Sequence, residues 1–167
     1  MLPHILRHSQ LVTEVALLLG RKLNHNGQNL DLALVEAGAL LHDIAKTMCL
    51  DTHENHAVSG GALLDDLGYS AVADIVRQHI CLDSNDLCAD VVTEAALVNY
   101  SDKRVKHEEV VNIKERFRDV KERYLTKFPH FADRFKEVFA ETQRLEVKIF
   151  SLIDISPEDI NDMVAGH

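Results

Sequence analysis

Histidine is the one residue type present in unusual number, ten in 167 residues, and the informative copies are those that interrupt apolar stripes. His8 lies four residues before Val12, on the face that continues through Val15 and Leu19. His42 extends the stripe Val35, Gly38; His79 extends Val72, Ile75; Asp102 follows Val91, Ala95 and Val98. At helical spacing each of the four points toward a packed interior, where an imidazole or carboxylate is penalised unless it is hydrogen-bonded, charge-paired or metal-bound. Taken singly, each histidine reads as a satisfied core residue, and Asp102 as half of an ion pair with Lys or Arg. Four such residues on four helices read differently, because His and carboxylate side chains converging from several helices are how bundles build metal centres.

Spacing alone does not complete a ligand set. His42 and Asp43 are adjacent, so a regular helix directs them about 100° apart, and they meet one ion only at the edge of the inward face. His53 and His56 sit one turn apart near the start of the third expected helix, and either reaches inward. Other chemistries lack their signatures: no serine occupies a nucleophile elbow, and no glycine-rich phosphate loop is present.

The elements that must position these residues are helices. Only seven glycines and three prolines punctuate the chain, and between them apolar residues recur every three or four positions, the helical period. The expected fold class is all-α. Helices are expected over about 3–23, with Pro3 tolerated in the first turn; about 31–46, with Asp31 as N-cap; about 55–67, stopping at Gly68; and about 71–80, with Ser70 as N-cap. A fifth spans about 91–103, longer amphipathic helices follow at 109–128 and 131–150, and Ser156-Pro157-Glu158-Asp159 opens a short last helix.

Length favours one domain over residues 1–167, since a chain of this size buries roughly 70% of the surface it exposes unfolded. Hydrophobic residues at 46% and charged residues at 27% exclude general disorder. A net charge of −9 disfavours long nucleic acid and anionic membrane surfaces as partners. No apolar run approaches the roughly 18 residues of a membrane span, and Met1-Leu2-Pro3-His4 opens no signal-peptide pattern, so the expected location is cytoplasmic. Cys49, Cys81 and Cys88 are an odd number without CxxC spacing, which points to reduced thiols, some of them in the core. Acidic residues dominate through residue 100 and basic ones from 101 to 150, a pattern that solvated ion pairs on the two long helices explain.

Several motifs in order then resemble the HD superfamily of metal-dependent phosphohydrolases, whose fold is an α-helical bundle. They are His8-Ser9 followed by Val12 and Ala16; Leu40-Leu41-His42-Asp43-Ile44-Ala45-Lys46; His56-Ala57-Val58-Ser59-Gly60; Arg77-Gln78-His79; and Tyr100-Ser101-Asp102-Lys103. They cover residues 8 to 103, a ligand core over about 1–105 that leaves 106–167 as additional C-terminal helices. The resemblance implies His8, His42, Asp43 and Asp102 as metal ligands, His56 and His79 as the two additional histidines of branches that hold two ions, and Asp43 as the bridging carboxylate. His8 fits the first motif better than His4, which is expected on the surface of the first turn. His53 is left as a loop or supporting residue, and His25, His107, His130 and His167 are given no role.

Imidazole and carboxylate without thiolate suit iron or manganese, with zinc, nickel or magnesium as further possibilities. Two such ions activate water and neutralise a phosphoryl group. The HDxxK pattern makes Lys46, which is otherwise a helix-terminal cation, a candidate for a substrate phosphate and for the catalytic machinery beside Asp43; Lys103 and Arg104 are candidates for further phosphate oxygens. Within the superfamily the six-ligand pattern is most similar to the small HDIG branch that includes symmetrical dinucleoside tetraphosphate hydrolases. The Gly-Tyr-Pro motif of the cyclic dinucleotide branch is absent, because Gly68-Tyr69 is followed by Ser70. The expected partner is a small phosphorylated, nucleotide-like substrate. A di-iron oxygenase on the same scaffold and a non-catalytic helical binding module are the alternatives.

Overall fold

In the computed structural model, which describes residues 1–52, 54–125 and 131–165, regular structure is helical apart from one small hairpin. Helix α1 (Pro3–His25) has proline in its first turn, where a missing N–H leaves no hydrogen bond unmade, and it buries Val12, Val15, Leu19 and Leu23 completely. Asp31 caps α2 (Leu32–Leu41) by accepting from the N–H groups of Ala33 and Leu34. Helices α3 (His56–Asp66) and α4 (Ser70–Gln78) follow as a close pair, reversed at Gly68, whose φ of 84° suits glycine. A short α5 (Ser84–Cys88) leads into α6 (Glu94–Asp102), capped by the Thr93 hydroxyl.

Strands β1 (Val105–Lys106) and β2 (Glu109–Val110) pair antiparallel, Val105 opposite Val110 and Lys106 opposite Glu109. Helix α7 (Ile113–Val120) continues into a π-helical turn at Lys121–Leu125, and α8 (Ala132–Ser151) and α9 (Asp159–Ala165) complete the chain. Asp159 accepts from both the N–H and the hydroxyl of Ser156, but α9 begins at Asp159, so Pro157 precedes the helix rather than taking its first position.

The all-α class is thus what the chain adopts, while several boundaries differ for identifiable reasons. Helix α2 stops at Leu41 rather than near Lys46 because the His42 ring Nδ1 donates to the Ala39 carbonyl at 2.7 Å. A continuing helix would reserve that carbonyl for the Asp43 N–H. The 91–103 helix begins only at Glu94, because Thr93 caps it; Val91 lies outside it and is 54% exposed, so it is no part of an inward stripe. The long helix expected at 109–128 is instead β2, a start fixed by the Asn112 side chain accepting from the Glu115 N–H, and α7 with its π-helical turn. Its last expected residues, 126–128, lie outside the described residues. Ser70 is the first residue of α4 rather than its cap, and α5, with five residues, is too short to show a period.

Burial ties the late helices to the early ones. One cluster of buried apolar side chains runs from Val12 of α1 through Val35 of α2, Ile75 of α4 and Leu97 of α6 to Phe117 of α7, Ile149 of α8 and Ile160 of α9. Leu64, Ala73 and Val76 form a smaller cluster between α3 and α4. Helices α2 and α4 approach closely at Gly38, where a Cβ would stand 2.6 Å from Ile75 Cγ2. Of the cysteines, Cys49 is buried and Cys81 half-buried, both as free thiols, and the Cys88 side chain lies outside the description.

Candidate metal centre

Five helices deliver the six candidate ligands to one place, mostly from their ends. His8 projects from the second turn of α1; His42 caps the C-terminus of α2 and Asp43 follows it into a turn; His56 opens α3; His79 caps the C-terminus of α4; Asp102 ends α6. The α3–α4 reversal brings the start of one helix beside the end of the other, so that His56 Nε2 and His79 Nε2 stand 3.1 Å apart. The rings of His8 and His42 are 5.4 Å apart, and those of His42 and His79 5.0 Å. His42, Asp43 and His79 are almost wholly buried, His8 is buried, and His56 and Asp102 keep partial exposure.

Two of the histidines terminate their own helices in the same way. His42 Nδ1 donates to Ala39 O and His79 Nδ1 donates to Val76 O, each at 2.7 Å. His8 Nδ1 instead donates to the carbonyl of His107, 3.0 Å away in the turn of the hairpin. A carbonyl only accepts, so Nδ1 carries the hydrogen in all three rings and Nε2 is the atom turned toward the centre, the arrangement typical of metal-ligating histidine. Because His42 ends the helix, Asp43 escapes the angular separation that a regular helix would impose on adjacent residues.

Around the centre, His42 Nε2 lies 3.5 Å from Asp43 Oδ2 and 3.7 Å from Asp102 Oδ1, and His8 Nε2 lies 3.0 Å from Asp102 Oδ1. On the other side, Asp43 Oδ1 is 3.1 Å from His56 Nε2 and 3.7 Å from His79 Nε2. Two ligand groups result, His8 with His42 and Asp43, and His56 with His79 and Asp43, so that Asp43 belongs to both. Asp102 adjoins the first group through its contacts with His8 and His42.

The donors fit divalent cations. His42 Nε2 and Asp43 Oδ1 are buried without a hydrogen-bond partner, and a buried polar atom in that condition is destabilising unless something satisfies it. Nitrogens 3.1 Å apart are spaced as two ligands about 2.1 Å from one ion at nearly a right angle. Protonation states agree. Burial works to raise the Asp43 and Asp102 carboxyls, but His42, His56 and Lys46 around the first, and His8, Arg116 and His42 around the second, hold both below the usual carboxylate range. Burial, with His42 beside it, pushes His79 down to about 3, so it stays neutral. Burial also works against a charged His42, yet Asp43 and Asp102 outweigh it and shift that ring upward, the sign of a centre that calls for positive charge.

The three cations singled out in the sequence divide. Lys46 reaches the site, its Nζ donating to Asp43 Oδ2 at 2.6 Å with a third of its side chain exposed. Lys103 and Arg104 do not: they are 6% and 3% exposed and their donors are already engaged. Lys103 Nζ donates to His79 O, Asn99 O and Asn99 Oδ1, and burial, partly offset by Asp102, pushes its pKa down to about 8. With Asn99 Nδ2, which donates to Gln78 O and His79 O, it closes the C-terminus of α4 from a neighbouring helix. Arg104 donates to Val111 O, Tyr100 Oη and Pro157 O, tying α6 to the hairpin and to the approach of α9.

Of the histidines expected to have no role, His25 is an exposed helix end, whereas His107 contributes its carbonyl. His4 is exposed in the first turn, and His53, His130 and His167 lie outside the described residues. Two contributors had no sequence signal: the His107 carbonyl, presented by a non-glycine residue at φ 56°, and Arg116 of α7, whose Nη2 is 3.7 Å from Asp102 Oδ1.

The family model for the HD domain matches residues 5–156. This chain is an HD domain protein. HD domains typically bind divalent metals and make up a superfamily of metal-dependent phosphohydrolases, and the helical fold and the paired His and Asp groups described above accord with that membership. An uncharacterized protein of Methanocaldococcus jannaschii is 34% identical over 79 residues, 46% of the HD domain chain. The match spans less than half of that relative, 45% of its length. No solved structure matches the chain significantly. Among the described residues no helix is long and apolar enough to cross a membrane.

Proposed function

We propose that this protein hydrolyses a phosphoester or phosphoanhydride bond of a small nucleotide-like substrate with two divalent transition-metal ions, iron or manganese. The observation that carries the reading is the pair of His and Asp groups joined through Asp43, with unpartnered acceptors at their junction. In this reading the chain is a single domain of the HDIG type. His8, His42 and Asp102 would hold one ion and His56 and His79 the other, with Asp43 as the carboxylate common to both. When bound, such a pair supplies a water that is acidic at neutral pH and neutralises charge on phosphoryl oxygens.

The chain's own residues do the remainder. The Nδ1 bonds of His8, His42 and His79 hold the rings in orientation, so little reorganisation accompanies binding. Lys46, partly exposed and beside Asp43, places an ammonium where a phosphoryl oxygen arrives and offsets its charge. Lys103 and Arg104 have no part in substrate binding here, since their donors are engaged inside the fold. A net charge of −9 accords with a compact phosphate group rather than a polymer backbone.

The test loads metal-free protein with manganese or iron and assays it, in air and anaerobically, against nucleoside mono- to tetraphosphates, dinucleoside polyphosphates and a chromogenic phosphodiester. Metal-dependent release of phosphate or nucleotide, equal with and without O₂, is expected. Turnover confined to air, consuming O₂ and releasing neither product, would overturn the hydrolase reading in favour of an oxygenase.

A further inference from the structure

Among the described residues, Arg116 is the one cation in contact with the candidate ligands that no sequence motif marks. It projects from α7, outside the segment that carries the ligands, and its Nη2 lies 3.7 Å from Asp102 Oδ1, the oxygen that also faces His8 and His42. Its Nη1 is 3.6 Å from Asp119 Oδ2. Both separations exceed hydrogen-bonding distance, and among the described residues no hydrogen bond reaches the guanidinium, although its side chain is only 14% exposed. Two long ion pairs hold the guanidinium by charge and leave its N–H donors available to an incoming anion. The contrast with Arg104, 3% exposed and with its donors placed on three oxygen atoms, shows how the same fold treats an arginine that only braces it.

Charge sharpens the contrast. A guanidinium beside Asp102 competes with any cation that this carboxylate would hold, so Arg116 weakens rather than aids metal retention. An anion seated between the guanidinium and the ions reverses that repulsion, and the planar fork of N–H donors matches the oxygens of a phosphoryl group.

We propose that Arg116 holds a non-bridging phosphoryl oxygen of the substrate at the Asp102 side of the centre, while Lys46 meets the substrate from beside Asp43. The assignment rests on the phosphohydrolase reading and deepens it: the site takes a phosphoryl group flanked by a guanidinium and an ammonium, which suits a phosphoanhydride or a substrate with a second anionic group better than an isolated neutral ester.

Binding of inorganic phosphate to manganese-loaded protein, measured by calorimetry with metal content determined on the same samples, tests it. Arg116→Met should weaken phosphate binding about tenfold or more, the effect of one lost charge-assisted contact, while metal content stays equal or rises. Arg116→Lys, which keeps the charge and the fold but loses the fork, should fall between, and it carries the test should the methionine variant fail to fold. Arg7→Met, which removes an exposed cation paired with Glu108, should bind phosphate as the wild type does. Unchanged phosphate affinity in a folded, metal-loaded Arg116 variant overturns the assignment, as does a wild type that binds no phosphate. Hydrolysis by the wild type is scored separately, so the assignment can fail while the phosphohydrolase reading stands. A variant that loses metal or thermal stability but binds phosphate normally shows Arg116 to be structural and also overturns it.

Discussion

Residues 3–102 and 105–165 share one apolar interior but contribute differently to the centre. The first region supplies all six candidate ligands, five of them at helix ends or in the turn that follows, where side chains replace main-chain hydrogen bonds. Among its described residues the second supplies no candidate ligand but holds the first in place: the His107 carbonyl orients His8, Glu146 accepts from the Tyr100 hydroxyl at 2.6 Å, and Lys148 donates to the carbonyls of Ala89 and Val91. Helix ends are free to present chemistry when another layer of structure supports them, because a terminus leaves backbone groups that something else must satisfy.

Substitutions in each region can break that comparison. The largest effect is expected from Asp43→Ala, which removes the one residue common to both ligand groups. Metal analysis should find both ions lost and turnover below detection, while circular dichroism retains the helical signal. Near-normal metal content with activity intact would refute the shared role.

Arg104→Met should act oppositely, on the fold rather than the centre. Removing a guanidinium 3% exposed and bonded to three oxygens should lower unfolding free energy by about 3 kcal/mol or more. Urea denaturation measures this, and the fraction that remains folded should keep its metal. Lys46→Ala is smaller and functional: kcat/KM should fall by about 1.5–3 kcal/mol, the worth of one charge-assisted contact, at unchanged metal content and unfolding midpoint. Gly38→Ala sharpens the comparison at its joint, since the added Cβ meets Ile75 Cγ2 at 2.6 Å and must push α2 from α4. A loss of about 1–2 kcal/mol in stability, accompanied by weaker metal binding through the displaced His42 and His79, is the expected result; a destabilised variant with unaltered metal affinity would show the two helix ends to be positioned independently of this contact.

Legibility in the sequence follows the same division. Stripe interruptions located His8, His42, His79 and Asp102, and motif order added Asp43 and His56; the structure brings all six together. The Asp102 stripe was nevertheless read too far, since Val91 faces solvent. Lys103 and Arg104 looked available because they follow Asp102 in sequence, but α6 ends there and the chain turns inward, which adjacency alone does not reveal. Arg116 was missed because the segment around it read as one long solvated helix, whereas Asn112 starts a new helix after a hairpin.

The sequence by itself determined which side chains are available, that the chain is helical and where its apolar faces lie, since these depend on composition and on a period of a few residues. Only the tertiary structure decided which donors remain free. Whether a histidine nitrogen, a carboxylate oxygen or a guanidinium is left for a ligand depends on hydrogen bonds made between distant segments: His8 to His107, Asn99 to His79, Arg104 to Pro157. Such bonds require two surfaces to meet in three dimensions, and no local pattern in the chain encodes that meeting.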